Sequence, residues 1–487
     1  MGAGIASYHV IMTTTLAKII ELLQYNAANP LQFTSVYFVV FLLLVLGVNA
    51  LLSNYTKVRL VFLTIASLYF YYKASGYYVV LLGLSAFVNY GFGLLIGTTA
   101  NNLQRLVLMW LSVGVNVYLL AVFKYGSLLI ALFTGKPSAT GFILPIAISF
   151  FTFENISYIV DVYKRTVSAQ RNVIHYFLFI SFFPKLIAGP IISAKDFMPQ
   201  LNVQFKLSNN RFKYGIMLIA QGYVYKCLLA DTLSVYLVDP VYLHTSYYTS
   251  AQVVLACVSY ALQIYFDFSG YTHIARGIAS WLGVRIPINF NVPYSAGSIT
   301  EFWQRWHISL SRWLRNYVYI PLGGNKHGAL RTYFSLLLTM AIGGLWHGAA
   351  WQFMWWGVAH GLLLAIERVL KPYYKAPRWL GQCYTFVSVA LLWVLFRASS
   401  YSQVLQLCKA MCNSATSATQ NIASLLYYPW ALVALIVGIV LVVIEPRITV
   451  KLRLRVPTLV YVLLLALVMV YVAVVQQEQA GFIYFQF

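Results

Sequence analysis

Residues 77–97 read YYVVLLGLSAFVNYGFGLLIG, 21 residues without one charged side chain. Wound as an α-helix, such a run is about 30 Å long, the thickness of the hydrocarbon core of a bilayer. Comparable runs recur near 36–53, 58–75, 105–123, 142–160, 174–190, 213–235, 250–283, 332–346, 350–369, 380–396, 428–445 and 456–476. Some must be re-entrant or broken, as in FISFFPKLIAGPII (179–192), where Pro184 and Pro190 interrupt the run. The pattern predicts an all-α polytopic transmembrane bundle of about 11 spans, two more or fewer, with re-entrant and interfacial helices.

Composition agrees. Of 487 residues, 61% are hydrophobic and 9% charged, where a soluble domain carries about a quarter charged. Mean hydropathy is +0.74. The net charge is +22 and the pI about 9.7. In a soluble protein that balance points to nucleic acid, but no nucleic-acid motif is present and no such partner is expected. The basic residues cluster instead at Lys164–Arg171, Lys206–Lys213, Arg305–Arg331 and Arg447–Arg455. Those clusters read as cytoplasmic, held by anionic head groups. The segment SATSATQNIAS (414–424) and the tail QQEQAGFIYFQF (476–487) lack basic residues and read as lying on the other side. The N-terminus shows no cleavable signal pattern. Thr15–Gln24 is expected to be an amphipathic interfacial helix. Residues 1–30 are therefore read as an N-terminal extension and 31–487 as the membrane domain. No fixed-period repeat stands out. The five cysteines (Cys227, Cys257, Cys383, Cys408, Cys412) are scattered and odd in number, and are expected to be buried and structural rather than disulfides or ligands.

The most polar stretch is 285–331. On one continuous helix, Trp303, Trp306, Leu310, Trp313 and Tyr317 form an apolar stripe, with Arg305, Ser309, Arg312 and Asn316 opposite. His307, Ser311 and Arg315 make a row along the stripe's edge. Such a helix lies at the interface or dips into a cavity.

Among the ionisable residues within the apolar runs, those that stand out are Glu154, Asp161, Lys185, Lys226, Asp231, Asp267, His273, His347, His360 and Glu367. Each costs at least about 2.5 kcal/mol in hydrocarbon, so each is either a satisfied helix-seam group or a functional one. His347 stands out within GGLWHGAAWQFMWWG (343–357). Gly343, Gly344 and Gly348 permit close approach of another backbone or a thin substrate. A neutral imidazole there is suited to take a proton from a hydroxyl. His307 lies forty residues earlier, and the two rings can meet in one cavity. His360, 13 residues past His347, would point roughly opposite on a continuous helix and reads as structural. His9, His175, His244 and His327 read as structural or solvated. No Cys/His cluster suggests a metal, and GxSxG, Walker and GxGxxG patterns are missing. Intramembrane charges and broken helices also suit a non-catalytic transporter, which stays open on these grounds.

Longer motifs narrow this. PIAISFFTFENISYIVDVYKR (145–165), FFPKLIAGPI (182–191), LQIYFDFSGYTHIARGIASWLG (262–283), NFNVPYSAGSITEFWQRWHISLSRWLRNYVYIPLGGNKHG (289–328) and GGLWHGAAW (343–351) occur in order. Together they closely resemble the membrane-bound O-acyltransferase superfamily, and within it the bacterial alginate O-acetylation branch. The resemblance runs from about residue 33 to the C-terminus. It implies a helical bundle around a central tunnel, in the bacterial plasma (inner) membrane. A cytosolic acyl donor, expected to be acetyl-CoA, would meet an acceptor presented from the opposite side, with no bound cofactor. The family's catalytic pair maps to His307 and His347. A substrate-binding shell maps to Asp267, Arg312, Arg315, Asn316 and Tyr319, with Ser311 added from the row above. In this branch the acetyl group goes to an exported polysaccharide, with an extracytoplasmic esterase-like or acetyl-accepting partner protein. His347 would deprotonate the acceptor hydroxyl; His307 would hold the thioester or stabilise the oxyanion. The alternative within the family is transfer of D-alanine or another acyl group to a teichoic-acid-like polymer.

Two positions depart from the branch. Glu154 replaces the usual glutamine, and Thr272–His273 stand where an acid is usual. Because unpaired buried charge is costly, the two changes are read as compensating, with Glu154 and His273 approaching each other or sharing a water. The N-terminus also extends about thirty residues beyond the branch's usual start.

Overall fold

The computed structural model describes residues 23–135, 144–371, 373, 377–413, 428–445, 454–474 and 482, and among them every regular element is helical. The charge-free run at 77–97 is one unbroken helix, Tyr78–Thr98. In chain order, α1 spans Val36–Leu51, α2 Thr56–Ser75, α3 Tyr78–Thr98, α4 Asn102–Phe123 and α5 Gly126–Thr134. Then come α6 (Ile148–Tyr163), α7 (Val173–Ser181), α8 (Asn209–Leu243) and α9 (Ser250–Trp281). Two short helices follow, α10 (Ile299–Arg305) and α11 (Ile308–Leu314). The rest are α12 (Gly328–His347), α13 (Trp351–Leu370), α14 (Arg378–Arg397), α15 (Tyr401–Met411), α16 (Pro429–Ile444) and α17 (Thr458–Val474). Seven of these, α3, α4, α8, α9, α12, α13 and α14, are long and apolar enough to cross a bilayer, and three more apolar helices are shorter. The chain is a multi-pass, all-α membrane protein.

Burial separates centre from periphery. In α8 and α9, 83% of the apolar window is buried, against 22% in α4 and 33% in α3, α12, α13 and α14. The outer helices keep faces such as Leu84, Phe87, Trp110 and Tyr118 for lipid. α8 and α9 pack tightly because each offers a glycine to the other. A Cβ at Gly222 would meet the Gly270 carbonyl, and one at Gly270 the Gly222 carbonyl. α9 begins with a capping box, in which the Thr249 hydroxyl and the Gln252 side chain satisfy each other's backbone amides.

Within α8 the helix widens into π-helical turns at Val224–Ala230 and Ser234–Val238. There Lys226 is enclosed by two carboxylates, Asp231 at 2.8 Å and Asp267 at 2.6 Å. Other charges singled out in the sequence also find partners. Asp161 accepts from the Tyr317 hydroxyl at 2.9 Å. Glu367 accepts from the Ile299 and Thr300 amides at 2.8 and 2.9 Å, so it caps α10.

Several expectations need correction. Glu154 does not turn to His273. Its carboxylate pairs with Lys185 and accepts from the Ile192 amide. His273 instead sets Nδ1 2.6 Å from the Ser269 carbonyl one turn earlier. The two departures are thus satisfied separately, because a buried ammonium lies nearer to Glu154 than any imidazole. The break expected at Pro184 is, by contrast, present: α7 stops at Ser181, and Pro184 opens a separate turn, Phe183–Leu186. Of the cysteines, Cys227 and Cys257 are buried, whereas Cys383, Cys408 and Cys412 lie on the protein's outer surface. All but the last two residues of the expected helix Thr15–Gln24 lie outside the described residues. So do the whole of 414–424 and, apart from Phe482, the tail.

Candidate active site

The expected continuous helix through 303–317 is broken at His307. α10 ends at Arg305, and His307 takes a left-handed backbone (φ +42°) before α11 starts. The break is stable because Asn289 supplies the acceptors that the new helix lacks. Its carbonyl takes the Ile308 amide at 2.9 Å, and its side-chain oxygen takes the Ser309 amide at 3.3 Å. Ser309 in turn accepts from the Ile191 amide at 3.0 Å, tying α11 to the FFPKLIAGPI segment. The kink buries the His307 ring completely, with Phe268 of α9 4.7 Å away, centroid to centroid. On the other flank, Glu301 accepts from the Gly297 amide at 2.7 Å and pairs with Arg305 at 2.7 Å and Arg378 at 3.2 Å. Partial burial pushes its carboxyl up, but that amide and the two guanidiniums outweigh it and hold it below the usual carboxylate range.

His347 is the last residue of α12. The chain then runs extended through Gly348 and Ala350 and turns back as α13. The two helices touch backbone to backbone: a Cβ at Gly344 would strike the Phe353 carbonyl, and one at Gly357 the Met340 carbonyl. Of the two uses expected for glycine here, Gly344 serves the approach of another backbone. The reversal also corrects the placing of His360. It does not point away from His347 on one continuous helix; both rings lie against Trp356, at 5.3 and 4.7 Å. Trp303 donates to His360 Nδ1 at 3.3 Å.

The C-terminal carbonyls of α12 are capped from far away in the chain. The Tyr125 hydroxyl donates to Leu345 O at 2.8 Å. Lys124 Nζ donates to Trp346 O at 2.5 Å, to His347 O at 3.3 Å and to Ser149 Oγ at 3.1 Å. A cation at the carbonyl end of a helix is favourably placed.

Two buried imidazoles, forty residues apart in sequence, thereby flank one indole. The Trp346 ring lies 5.6 Å from the His307 ring and 4.9 Å from the His347 ring. His307 is 0% and His347 4% exposed, so both are screened from bulk water. The other expected site residues are more dispersed. Asp267 sits in the Lys226 ion cluster. Ser311 bonds back to the Trp306 carbonyl at 3.3 Å. Arg312 and Arg315 open outward, Arg315 reaching Asn316 at 3.4 Å, and Asn316 and Tyr319 are half-buried in the π-helical turn Arg315–Tyr319. Among the described residues, no three His, Cys, Asp or Glu side chains gather as a metal site.

Sequence reasoning missed Lys124, Tyr125, Asn289 and Trp346. Lys124 follows the apolar run 105–123, where a lysine ordinarily reads as a flanking, snorkelling residue. Its one signal was that it stands alone there, next to a tyrosine.

The sequence model of the membrane-bound O-acyltransferase family matches residues 167–408, a span that holds His307, His347 and His360. Over 397 residues the chain is 41% identical to a probable alginate O-acetylase AlgI of Pseudomonas aeruginosa, covering 79% of this chain and 75% of that protein. It is 36% identical over 388 residues to a peptidoglycan O-acetyltransferase of Helicobacter pylori, covering 72% and 73%. Similarity to a teichoic acid D-alanyltransferase of Bacillus subtilis is lower, 28% over 249 residues, covering 48% and 62%.

Proposed function

The chain belongs to the membrane-bound O-acyltransferase family, and on that premise we propose that it moves an acetyl group from cytosolic acetyl-CoA to a hydroxyl of an exported polysaccharide, working at the His307–Trp346–His347 cluster. The observation that carries the site assignment is the meeting of two buried imidazoles on one indole at a helix end. Acetyl rather than D-alanyl transfer is favoured because similarity to the alginate and peptidoglycan O-acetylating relatives is higher and covers more of the chain than that to the D-alanyl one. A transporter without chemistry is the poorer reading for a member of this family.

In this mechanism the neutral His347 imidazole takes the proton of the acceptor hydroxyl as its oxygen attacks the thioester carbonyl carbon. The carbonyl oxygen gains negative charge, which His307 is placed to stabilise as a hydrogen-bond donor. The C–S bond then breaks, the thiolate recovers the proton held by His347, and the products are an acetyl ester and the free thiol. Burial of both rings keeps bulk water from competing for the thioester. The caps from Lys124 and Tyr125 hold the end of α12, and so hold the His347 ring against Trp346. An extracytoplasmic partner protein would receive the acetyl group or place it on the polymer.

The test is direct. Purified protein in lipid, with radiolabelled acetyl-CoA, its partner and acceptor polymer, is expected to release free thiol and to label the polymer as an alkali-labile ester. Thiol release no faster than in protein-free controls overturns the donor assignment. Label from D-alanine, with none from acetyl-CoA, establishes the teichoic-acid reading instead.

A further inference from the structure

Away from the histidines, a cavity of about 470 Å³ opens between the start of α2, the segment 196–205, the start of α8 and the turn after α9. Its floor is Arg59 against Phe205, and its rim carries Arg211, Arg285, Asp196 and Gln200. Arg59 is only 4% exposed, and its guanidinium lies over the Phe205 ring, 5.2 Å from the centroid. One of its Nη atoms makes a long contact of 3.4 Å to the Leu282 carbonyl, while its buried Nε has no hydrogen-bond partner. Among the described residues none of the three guanidiniums is in an ion pair. A guanidinium buried without a carboxylate is expensive, so an anion is the expected occupant.

The cavity is built, not incidental. Gln200 grips the Arg285 backbone from both sides, accepting from its amide at 2.8 Å and donating to its carbonyl at 3.0 Å. The Gln200 side-chain amide also donates to Asp196 O at 2.7 Å, and the Asp196 carboxylate accepts from the Ser193 hydroxyl at 2.8 Å. Three guanidiniums against one carboxylate leave a net charge of +2, which suits a phosphate group carrying one to two negative charges. Planar guanidinium forks match phosphate oxygens two at a time. Arg211 belongs to the Lys206–Lys213 cluster, which by the distribution of basic residues faces the cytoplasm. Phosphate is the abundant anion there, both in lipid head groups and in soluble nucleotides.

We infer that this cavity is a binding site for a phosphate-bearing ligand on the cytoplasmic side of the protein. The ligand is either an anionic phospholipid head group or the phosphates of a soluble nucleotide-containing molecule. The site does not depend on the acetyl-transfer reading, since its readout is binding rather than turnover.

The experiment uses the full chain in phosphatidylcholine nanodiscs with two probes: added phosphatidylglycerol, counted by native mass spectrometry, and radiolabelled coenzyme A, measured by filter binding. The rim variants Arg211→Gln and Arg285→Gln leave the buried floor intact. Arg59→Gln is added if it elutes as a single folded species. The wild type is expected to bind at least one probe, and each removed guanidinium to weaken that probe at least about fivefold. Weakening of phosphatidylglycerol identifies a lipid site, and weakening of coenzyme A a soluble ligand. If the wild type binds neither probe, or if both rim variants bind as the wild type does, the inference is overturned.

Discussion

Lys124 crosses the bundle to hold the helix end that carries His347: its Nζ lies 2.5 Å from the Trp346 carbonyl and 3.3 Å from that of His347 itself. Replacing it with methionine keeps the stem but strips two carbonyls of their donor. A lost hydrogen bond to a charged group costs about 1.5–3 kcal/mol. Lys124→Met is expected to lower kcat about tenfold through looser placement of the imidazole, with KM for the acyl donor changed less than about twofold. Steady-state kinetics at equal protein level check this. A rise in KM with kcat intact would assign Lys124 to donor binding instead.

His347→Ala is expected to abolish transfer while the protein still inserts and purifies normally. Loss of a general base lowers rates by about 10²–10⁴. Polymer acetylation at matched expression is the measurement. Retention of more than about half the wild-type signal removes His347 from the mechanism.

His307 separates backbone from chemistry. At φ +42° an alanine carries a steric penalty of about 1–2 kcal/mol that glycine does not. His307→Gly is therefore expected to unfold later than His307→Ala in detergent, although both lack transfer activity. Equal melting of the two, or activity in either, contradicts the prediction.

The buried Glu154–Lys185 pair gives a coupling test. Lys185 also faces the rings of Phe179 and Phe197, at 4.7 and 5.4 Å. Removing one partner of a buried ion pair costs about 3–5 kcal/mol, because the other charge is stranded. Glu154→Leu and Lys185→Met are each expected to be severely destabilising, and the double variant less so than their sum. Additive losses in thermal melts would mean that the two side chains do not depend on each other.

Glu301 predicts a pH effect. Its carboxyl is held below its ordinary range in the folded protein, so the stability it contributes is complete above the unfolded carboxylate value, near pH 4.3, and is lost as pH falls through the lowered folded value. Glu301→Gln is thus expected to be destabilising at pH 7 and progressively less so as the pH falls below the unfolded carboxylate range. A penalty that does not change across that range would locate the effect in packing rather than charge.

The membrane bundle was legible because lipid imposes one rule on long stretches, and 77–97 obeys it from end to end. His347 was legible as a candidate because it is an imidazole in a glycine-flanked apolar run, and His307 because it heads a polar row and matches the family's second catalytic position. What the sequence did not reveal was where the chain breaks without a proline. A stripe at helical spacing through Trp303–Tyr317 says nothing of the left-handed turn at His307, which depends on acceptors from Asn289. The placing of His360 failed for the same reason: helical periodicity is read by assuming continuity, and Gly348–Ala350 interrupts it. The pairing of Glu154 with Lys185 was hidden because charge compensation was sought between two unusual residues, and the partner was an ordinary member of a motif.

The cap on α12 also sets an order of assembly. Lys124 and Trp346 stand 222 positions apart, so the ammonium enters the bilayer with Ser149 close behind it but long before the α12 carbonyls exist. At about 5–20 residues per second of synthesis, the wait is roughly 10–45 s. During that interval the N-terminal helices carry a lysine with no helix end to grasp, and the nascent chain has no reaction centre. The arrival of α12 brings Trp346 and His347 together with the carbonyls that Lys124 caps. A chain released before residue 346 is therefore not a weaker enzyme but an unfinished one, lacking the two carbonyls that take up Lys124 at the end of α12.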